Sequence, residues 1–182
     1  MKNTIIVGLT GAPGAGKSTG AAYVFSKLKM LGIDAELVTE FAKDKVWEES
    51  QTPFQNQAYM FGQQYYRISR CIGKVDVVVT DSPLLLSIIY NTDERLNEHF
   101  DEMVAGVWKS FNTMNYFIHR VKPYNPNGRN QTEEESNALS VDIIELYEKY
   151  GVQIEQLLGM DTHYDKIVDD VYRVLLNSNV IS

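Results

Sequence analysis

The chain has 182 residues, 44% hydrophobic and 23% charged, with a net charge of −7 and one cysteine, Cys71. That balance excludes wholesale disorder, and the length can bury a core in a single domain, residues 1–182, without cross-links. One cysteine excludes an internal disulfide and a cysteine-based zinc site. The acidic charge argues against wrapping long nucleic acid, although a local basic cleft stays compatible with it.

The apolar run Ile5–Leu9 near the start is too short for a signal-peptide core or a membrane span, so a cytoplasmic chain with no membrane partner is expected. Thr4–Thr10 is instead predicted as a buried strand, β-branched and ending at glycine. Lys17–Leu31 is predicted as a helix with Ala21, Ala22, Phe25 and Leu28 on one side, stopped by Gly32. Ala35–Thr39 is a second strand. Thr52–Ile72 reads as one long helix with Pro53 in its first turn and an apolar stripe of Phe54, Ala58, Phe61, Tyr65, Ile68 and Ile72.

A third strand, Val75–Thr80, is followed by helices over Pro83–Tyr90 and Asp93–Lys109, then a fourth strand, Tyr116–Val121. Lys122–Gln131, with Pro123, Pro126 and Gly128, is a loop. Thr132 and Glu135 have capping-box spacing for a helix carrying Leu139, Ile143, Leu146, Tyr150 and Leu157. Lys166–Val168 is a short fifth strand and Asp170–Leu176 a closing helix. Strands alternating with helices imply a three-layer α/β/α sandwich around a five-stranded parallel sheet. The strand order is not legible from this pattern.

Gly11-Ala12-Pro13-Gly14-Ala15-Gly16-Lys17-Ser18 fits G-x-x-x-x-G-K-[ST], a phosphate-binding P-loop. Small residues let backbone N–H groups turn toward phosphate oxygens, and the following helix points its positive end at the same anion. Lys17 is expected at the β- and γ-phosphates, the Ser18 hydroxyl on Mg²⁺, and Thr19 at the α-phosphate. By average residue usage such a match arises by chance in roughly one chain of this size in a hundred, and here it also lies between a strand and a helix. The N/T-K-x-D element of guanine binders is absent, which makes ATP the expected nucleotide.

Ligands of open parallel sheets gather at the carboxyl ends of the strands. Glu40 and Asp81 fall there. Asp81 follows a β-branched strand, as a magnesium-holding carboxylate would; the competing reading is a helix N-cap. Glu40 could align an attacking hydroxyl or accept its proton, or it could be a surface glutamate. Gln57, Met60, Gln64 and Arg67 share one helix face, suited to hydrogen-bonding an acceptor, although a solvated face has the same pattern. Phe41, beside Glu40, belongs with this substrate-binding set. Arg120, Lys122 and Arg129 frame the 122–131 loop, which could act as a lid over the triphosphate. The three histidines have no metal-ligand spacing.

The strings GAPGAGKST at Gly11–Thr19, TEFAKD at Thr39–Asp44, TDSPLL at Thr80–Leu85 and KPYNPNGRNQTEE at Lys122–Glu134 together resemble small P-loop kinases. More closely, the chain resembles a phage-encoded AAA-like ATPase/kinase family related to nicotinamide-riboside kinase domains. The wider group includes deoxynucleoside and thymidylate kinases. The resemblance implies Glu40 as base or aligner, Asp81 as a metal or acceptor contact, Arg129 as lid arginine and Gln64 as reader of the acceptor. Deoxynucleoside kinases commonly carry a glutamate–arginine pair where this chain has Asp81-Ser82.

The function implied is transfer of the ATP γ-phosphate to a hydroxyl of a nucleoside, nucleotide or nucleoside-like acceptor, with Mg²⁺. Two alternatives stand beside it: phosphorylation of 5-hydroxymethyluracil in phage DNA, and an ATP-binding switch or ATPase without a small acceptor. A phage-encoded chain would work in the host cytoplasm. A homo-oligomer is left open.

Overall fold

The computed structural model describes residues 2–96, 98–123, 132–178 and 180. Five parallel strands form its sheet: β1 (Ile5–Thr10), β2 (Ala35–Val38), β3 (Val77–Thr80), β4 (Asn112–His119) and β5 (Glu155–Leu158), in the order β2-β3-β1-β4-β5. The apolar β1 is the central strand, and all six of its residues are buried. Ile5 pairs with Val77 on one side and with Asn112 on the other.

Alternate residues of β1 serve opposite layers, because side chains of a strand point to opposite faces. Ile5, Val7 and Leu9 pack with Val24 and Leu28 of α1 (Lys17–Met30) and with Ile167 and Val171 of α7 (Asp161–Asn177). Ile6 joins the second layer, built from α3 (Gln57–Ser69), α4 (Leu86–Ile89), α5 (Glu98–Lys109) and α6 (Glu133–Lys149). That layer includes Phe61, Leu86, Trp108 and Tyr147. The predicted α/β/α sandwich is the observed fold.

Several elements differ from expectation. The fifth strand is Glu155–Leu158, and Lys166–Val168 lies inside α7. Tyr164, Ile167, Val168, Val171 and Leu175 form a buried helical stripe that overrides the β-branched pair in the middle. Leu157 consequently belongs to β5 and not to the preceding helix. That helix, α6, does start with the expected box: Thr132 Oγ1 accepts from Glu135 N–H (3.2 Å) and Glu135 Oε2 from Thr132 N–H (2.7 Å).

The predicted long helix is broken at Asn56. Thr52–Gln55 is a 3-10 turn, and the Asn56 side chain accepts from Tyr59 N–H as the N-cap of α3. The break separates Phe54 from the rest of the predicted stripe. Gln57, Met60, Phe61, Gln64 and Ile68 are the buried positions of α3, whereas Ala58 and Tyr65 are exposed. In α1 the buried set is Gly20, Ala21, Val24 and Leu28, and Ala22 faces out. The fourth strand begins at Asn112 and ends at His119, and the helices after β3 are shorter than predicted. A short helix, α2 (Phe41–Trp47), was not anticipated.

Candidate active site

The P-loop joins central strand β1 to α1. Gly11, Gly14 and Gly16 have φ of 142°, 83° and 99°, a left-handed region that side-chain-bearing residues avoid. Crowding adds to the requirement: a Cβ on Gly11 would lie 2.5 Å from the Ile118 carbonyl oxygen. Gly16 forms the N-cap of α1, so Lys17 and Ser18 occupy its first turn. Lys17 Nζ donates to the Gly11 and Ala12 carbonyls at 2.8 and 3.2 Å, which holds the ammonium over the loop.

Three further contacts brace the loop from outside. The Tyr164 hydroxyl of α7 donates to Gly16 O at 3.1 Å, and its ring lies where a Cβ on Gly20 would fall, at 2.4 Å. Ser136, fully buried in the first turn of α6, donates to Pro13 O at 3.2 Å. Gly159, just after β5, packs against the Ala15 carbonyl so closely that a Cβ there would sit 2.4 Å away. None of these residues was found by sequence reasoning. The only hint is that Gly20 directly extends the P-loop string.

Glu40 lies two residues beyond the end of β2 and is the N-cap residue of α2, in extended backbone. Its N–H donates to Asp81 Oδ1 at 3.1 Å. Asp81 is 4% exposed and caps no helix: α4 starts at Leu86, with Leu85 in the cap position. The two carboxylates therefore stand together at the ends of adjacent strands. Burial pushes the Glu40 carboxyl above its ordinary range and Asp81 adds to this, while Lys17 and Lys43 pull it back. Tyr90, at the end of α4, is pushed up to about 12 by burial and by the Glu40 charge.

Two clefts flank the P-loop. One, of about 220 Å³, is lined by Ser18, Glu40, Asp81, Lys43, Asp44 and Trp47, among others. The other, of about 260 Å³, lies between Ala12 and Ala15, the end of β4 and the start of α6. Arg120 lines this second cleft and donates to Glu133 Oε1 (2.8 Å) and Asn137 Oδ1 (2.9 Å), bridging β4 to α6. Lys122 is exposed beyond it. Arg129 and most of the expected lid loop, residues 124–131, lie outside the described residues. Thr19 is exposed on the first turn of α1.

The α3 stripe faces the protein interior and α2. It is buried and not solvated: Gln57 is 8% and Gln64 5% exposed. Gln64 Oε1 accepts from Phe41 N–H at 2.9 Å, and its amide nitrogen is buried with no hydrogen-bond partner among the described residues. Arg67 pairs with Asp44 and lies over the Phe41 ring at 4.9 Å. Together they fasten α2 to α3, and Phe41 is the ring they hold.

The donor chemistry around Ser18 suits a hard cation. Hydroxyl and carboxylate oxygens are what magnesium takes, and it is commonly held by one or two protein oxygens with phosphates and water. Among the described residues no group of three or more His, Cys, Asp or Glu forms a protein cage for a metal.

A family model described as an AAA domain matches residues 6–162. No curated protein matches the chain. Among solved structures, shikimate kinase from Acinetobacter baumannii in complex with shikimate aligns with a TM-score of 0.54 at 12% identity, covering 97% of this chain and 95% of that one. The APS kinase of Mycobacterium tuberculosis aligns with a TM-score of 0.45 at 18% identity, covering 81% of this chain and 99% of that one. At such identities the likeness is one of fold.

Proposed function

The chain belongs to the AAA domain family, and from that premise we propose that it is an ATP-dependent phosphotransferase acting on a hydroxyl of a nucleoside, nucleotide or nucleoside-like acceptor. The observation that carries this reading is a single cleft on which Ser18 of the P-loop, Glu40 and Asp81 converge. A module that only binds a triphosphate needs the loop. It does not need a desolvated glutamate on the opposite wall.

In this reading the P-loop amides and Lys17 bind and orient the triphosphate. Ser18 and Asp81 would hold Mg²⁺, which when bound neutralises charge developing on the phosphate oxygens. Glu40 aligns the acceptor hydroxyl and takes its proton as the bond from the acceptor oxygen to the γ-phosphorus forms and the bond from that phosphorus to the β,γ-bridging oxygen breaks, releasing ADP. Its raised proton affinity suits that task better than an ordinary exposed glutamate would. The second cleft, beside Ala12 and Arg120, would take the rest of the nucleotide. We propose Arg129, Lys122 and the 122–131 loop as the lid, and Thr19 at the α-phosphate.

The test is γ-labelled ATP with a panel of nucleosides, nucleotides, nicotinamide riboside and hydroxymethylated DNA. Transfer to a small hydroxyl acceptor is expected. Steady hydrolysis with no labelled acceptor would instead support an ATPase or switch, and labelling of polymer alone would support a DNA-base kinase. Lys17→Ala should reduce transfer by about 100-fold or more, by the magnitude for removing a preorganised charge. Unchanged turnover in that variant defeats the proposed site.

A further inference from the structure

We infer that the chain forms a two-fold symmetric dimer through the exposed face made by α3 and α5, with α3 of one copy lying antiparallel on α5 of the other. Within one copy the two helices lie side by side and run the same way. Each leads into a parallel strand, α3 into β3 and α5 into β4, on one face of the sheet. Phe61 meets Phe100 near the N-terminal ends, with ring centres 5.9 Å apart, and Tyr65 meets Phe111 just past the end of α5, at 6.3 Å. Ala58, Gly62, Tyr65 and Tyr66 lie on the outer side of α3 at helical spacing, and all four are exposed. Met103 and Gly106 are exposed on α5. Tyr66 is 63% and Met103 47% exposed. Arg67 is the one charged residue of α3, and it is turned to Asp44 and Phe41. Tyrosine and methionine without charge are the composition of an interface core and not of a solvated helix face.

The two glycines have no explanation within one copy. Glycine is the least favourable interior helix residue after proline, yet a Cβ on Gly62 or Gly106 would meet nothing within 4 Å. Neither has the positive φ that would require glycine. Exposed glycines on adjoining helices let a second backbone approach closely. The charges at the ends of the face select that second surface. Glu98 and Glu102 open α5 in the same row as Gly106, and Glu102 has His99 at 3.7 Å. Lys109 closes α5, and Arg70 stands one turn beyond Tyr66 at the end of α3. The face is therefore acidic at one end, uncharged in the middle and basic at the other. A two-fold axis through its centre turns the second copy end for end, so that Arg70 of each copy meets Glu98 of the other. Helices of 13 and 12 residues are about 20 Å long, and at about 10 Å between axes they make a footprint of roughly 400 Å². That is small for a specific interface, so a dissociation constant in the micromolar range is expected.

Sedimentation velocity on the full chain from about 1 to 100 μM should show a monomer–dimer equilibrium. Gly62→Arg should abolish the dimer and leave the circular dichroism unchanged, because its side chain enters open space in the monomer. Arg70→Glu and Glu98→Arg, both at exposed positions, should each weaken self-association by about tenfold or more, since each sets like charges together at both ends. Mixing these two variants should restore the dimer, because the mixed pair again sets opposite charges together at both ends. A parent chain that stays monomeric throughout the range, whose face would then belong to a different partner or to solvent, overturns the inference. So does a dimer that tolerates Gly62→Arg, or a mixture that associates no better than the separate variants.

Discussion

Glu40 shows how a site residue can work against the stability of its own fold. Its carboxyl is desolvated, and Asp81 stands beside it, so the folded chain holds the Glu40 proton more tightly than the unfolded chain does. For a carboxyl raised in this way the stabilising contribution is present at low pH. It is lost as pH rises from the ordinary value of 4.5 through the raised folded value. Glu40→Gln should therefore raise Tm at neutral pH, by about 2 °C or more, while cutting transfer by roughly 10- to 100-fold. The Tm advantage should shrink as pH is lowered through the raised folded value towards 4.5 and be lost below that, because the parent glutamate is then protonated in both states. The acid limb of kcat/KM in the parent should fall with an apparent pKa above 4.5, since this parameter reports the free enzyme. Scanning calorimetry across pH and a pH–rate profile check both. A glutamine variant less stable than the parent at pH 7 would mean that the Glu40 carboxylate is better stabilised by its neighbours than its burial implies.

At the scale of elements, the P-loop is shaped by its neighbours as much as by its own glycines. The close approach of α7 to α1 is what Gly20 permits. An alanine there would push a methyl into the Tyr164 ring and towards Leu9, with Cβ 2.9 Å from Leu9 Cδ2. Overpacking of this kind costs about 1–3 kcal/mol. Gly20→Ala should lower Tm by several degrees, and Tyr164→Leu should partly rescue it, so that the double variant loses less than the sum of the singles. Additive losses in thermal melts would show that the two residues do not share the contact.

The second element-scale feature is α2, only seven residues long and too short to persist by itself. Gln64 and Arg67 fasten its first turn through Phe41 and Asp44, and so set the backbone from which Glu40 donates to Asp81. Gln64→Ala should therefore depress transfer while leaving ATP affinity within about twofold, as direct titration of ATP can show. The magnitude follows from its hydrogen bond being to Phe41 of α2 and from the modest worth of one buried hydrogen bond. A comparable loss of ATP affinity would mean that α2 supports the nucleotide side as well.

For the whole molecule, the strand order places β1 at the centre with a strand on each side and helices on both faces. Native-state hydrogen exchange should be slowest at the β1 amides Ile6–Leu9. It should be faster in the edge strand β5, where Glu155, Gln156 and Leu158 are exposed. Equal protection in β5 would contradict this ranking of local stability. The centre of the sheet is also where the P-loop begins, so the proposed phosphate site stands on the central, fully buried strand. Glu40, by contrast, stands after the other edge strand, β2.

The P-loop, the β1 strand and the α/β class could be read from the chain alone because each depends on local chemistry: glycine spacing, a lysine–serine pair, and a β-branched run. The capping box at Thr132 was legible for the same reason. Tertiary structure decided what depends on packing between distant segments. It set the strand order and moved the fifth strand to Glu155–Leu158, whose sequence lacks β-branched residues, because Ile167 and Val168 serve α7 better in its buried stripe. It brought Glu40 and Asp81 into contact across 41 positions of sequence. It also gave Gln64 and Arg67 their partners on α2, since a hydrogen bond or ion pair goes to whichever partner the fold brings within reach.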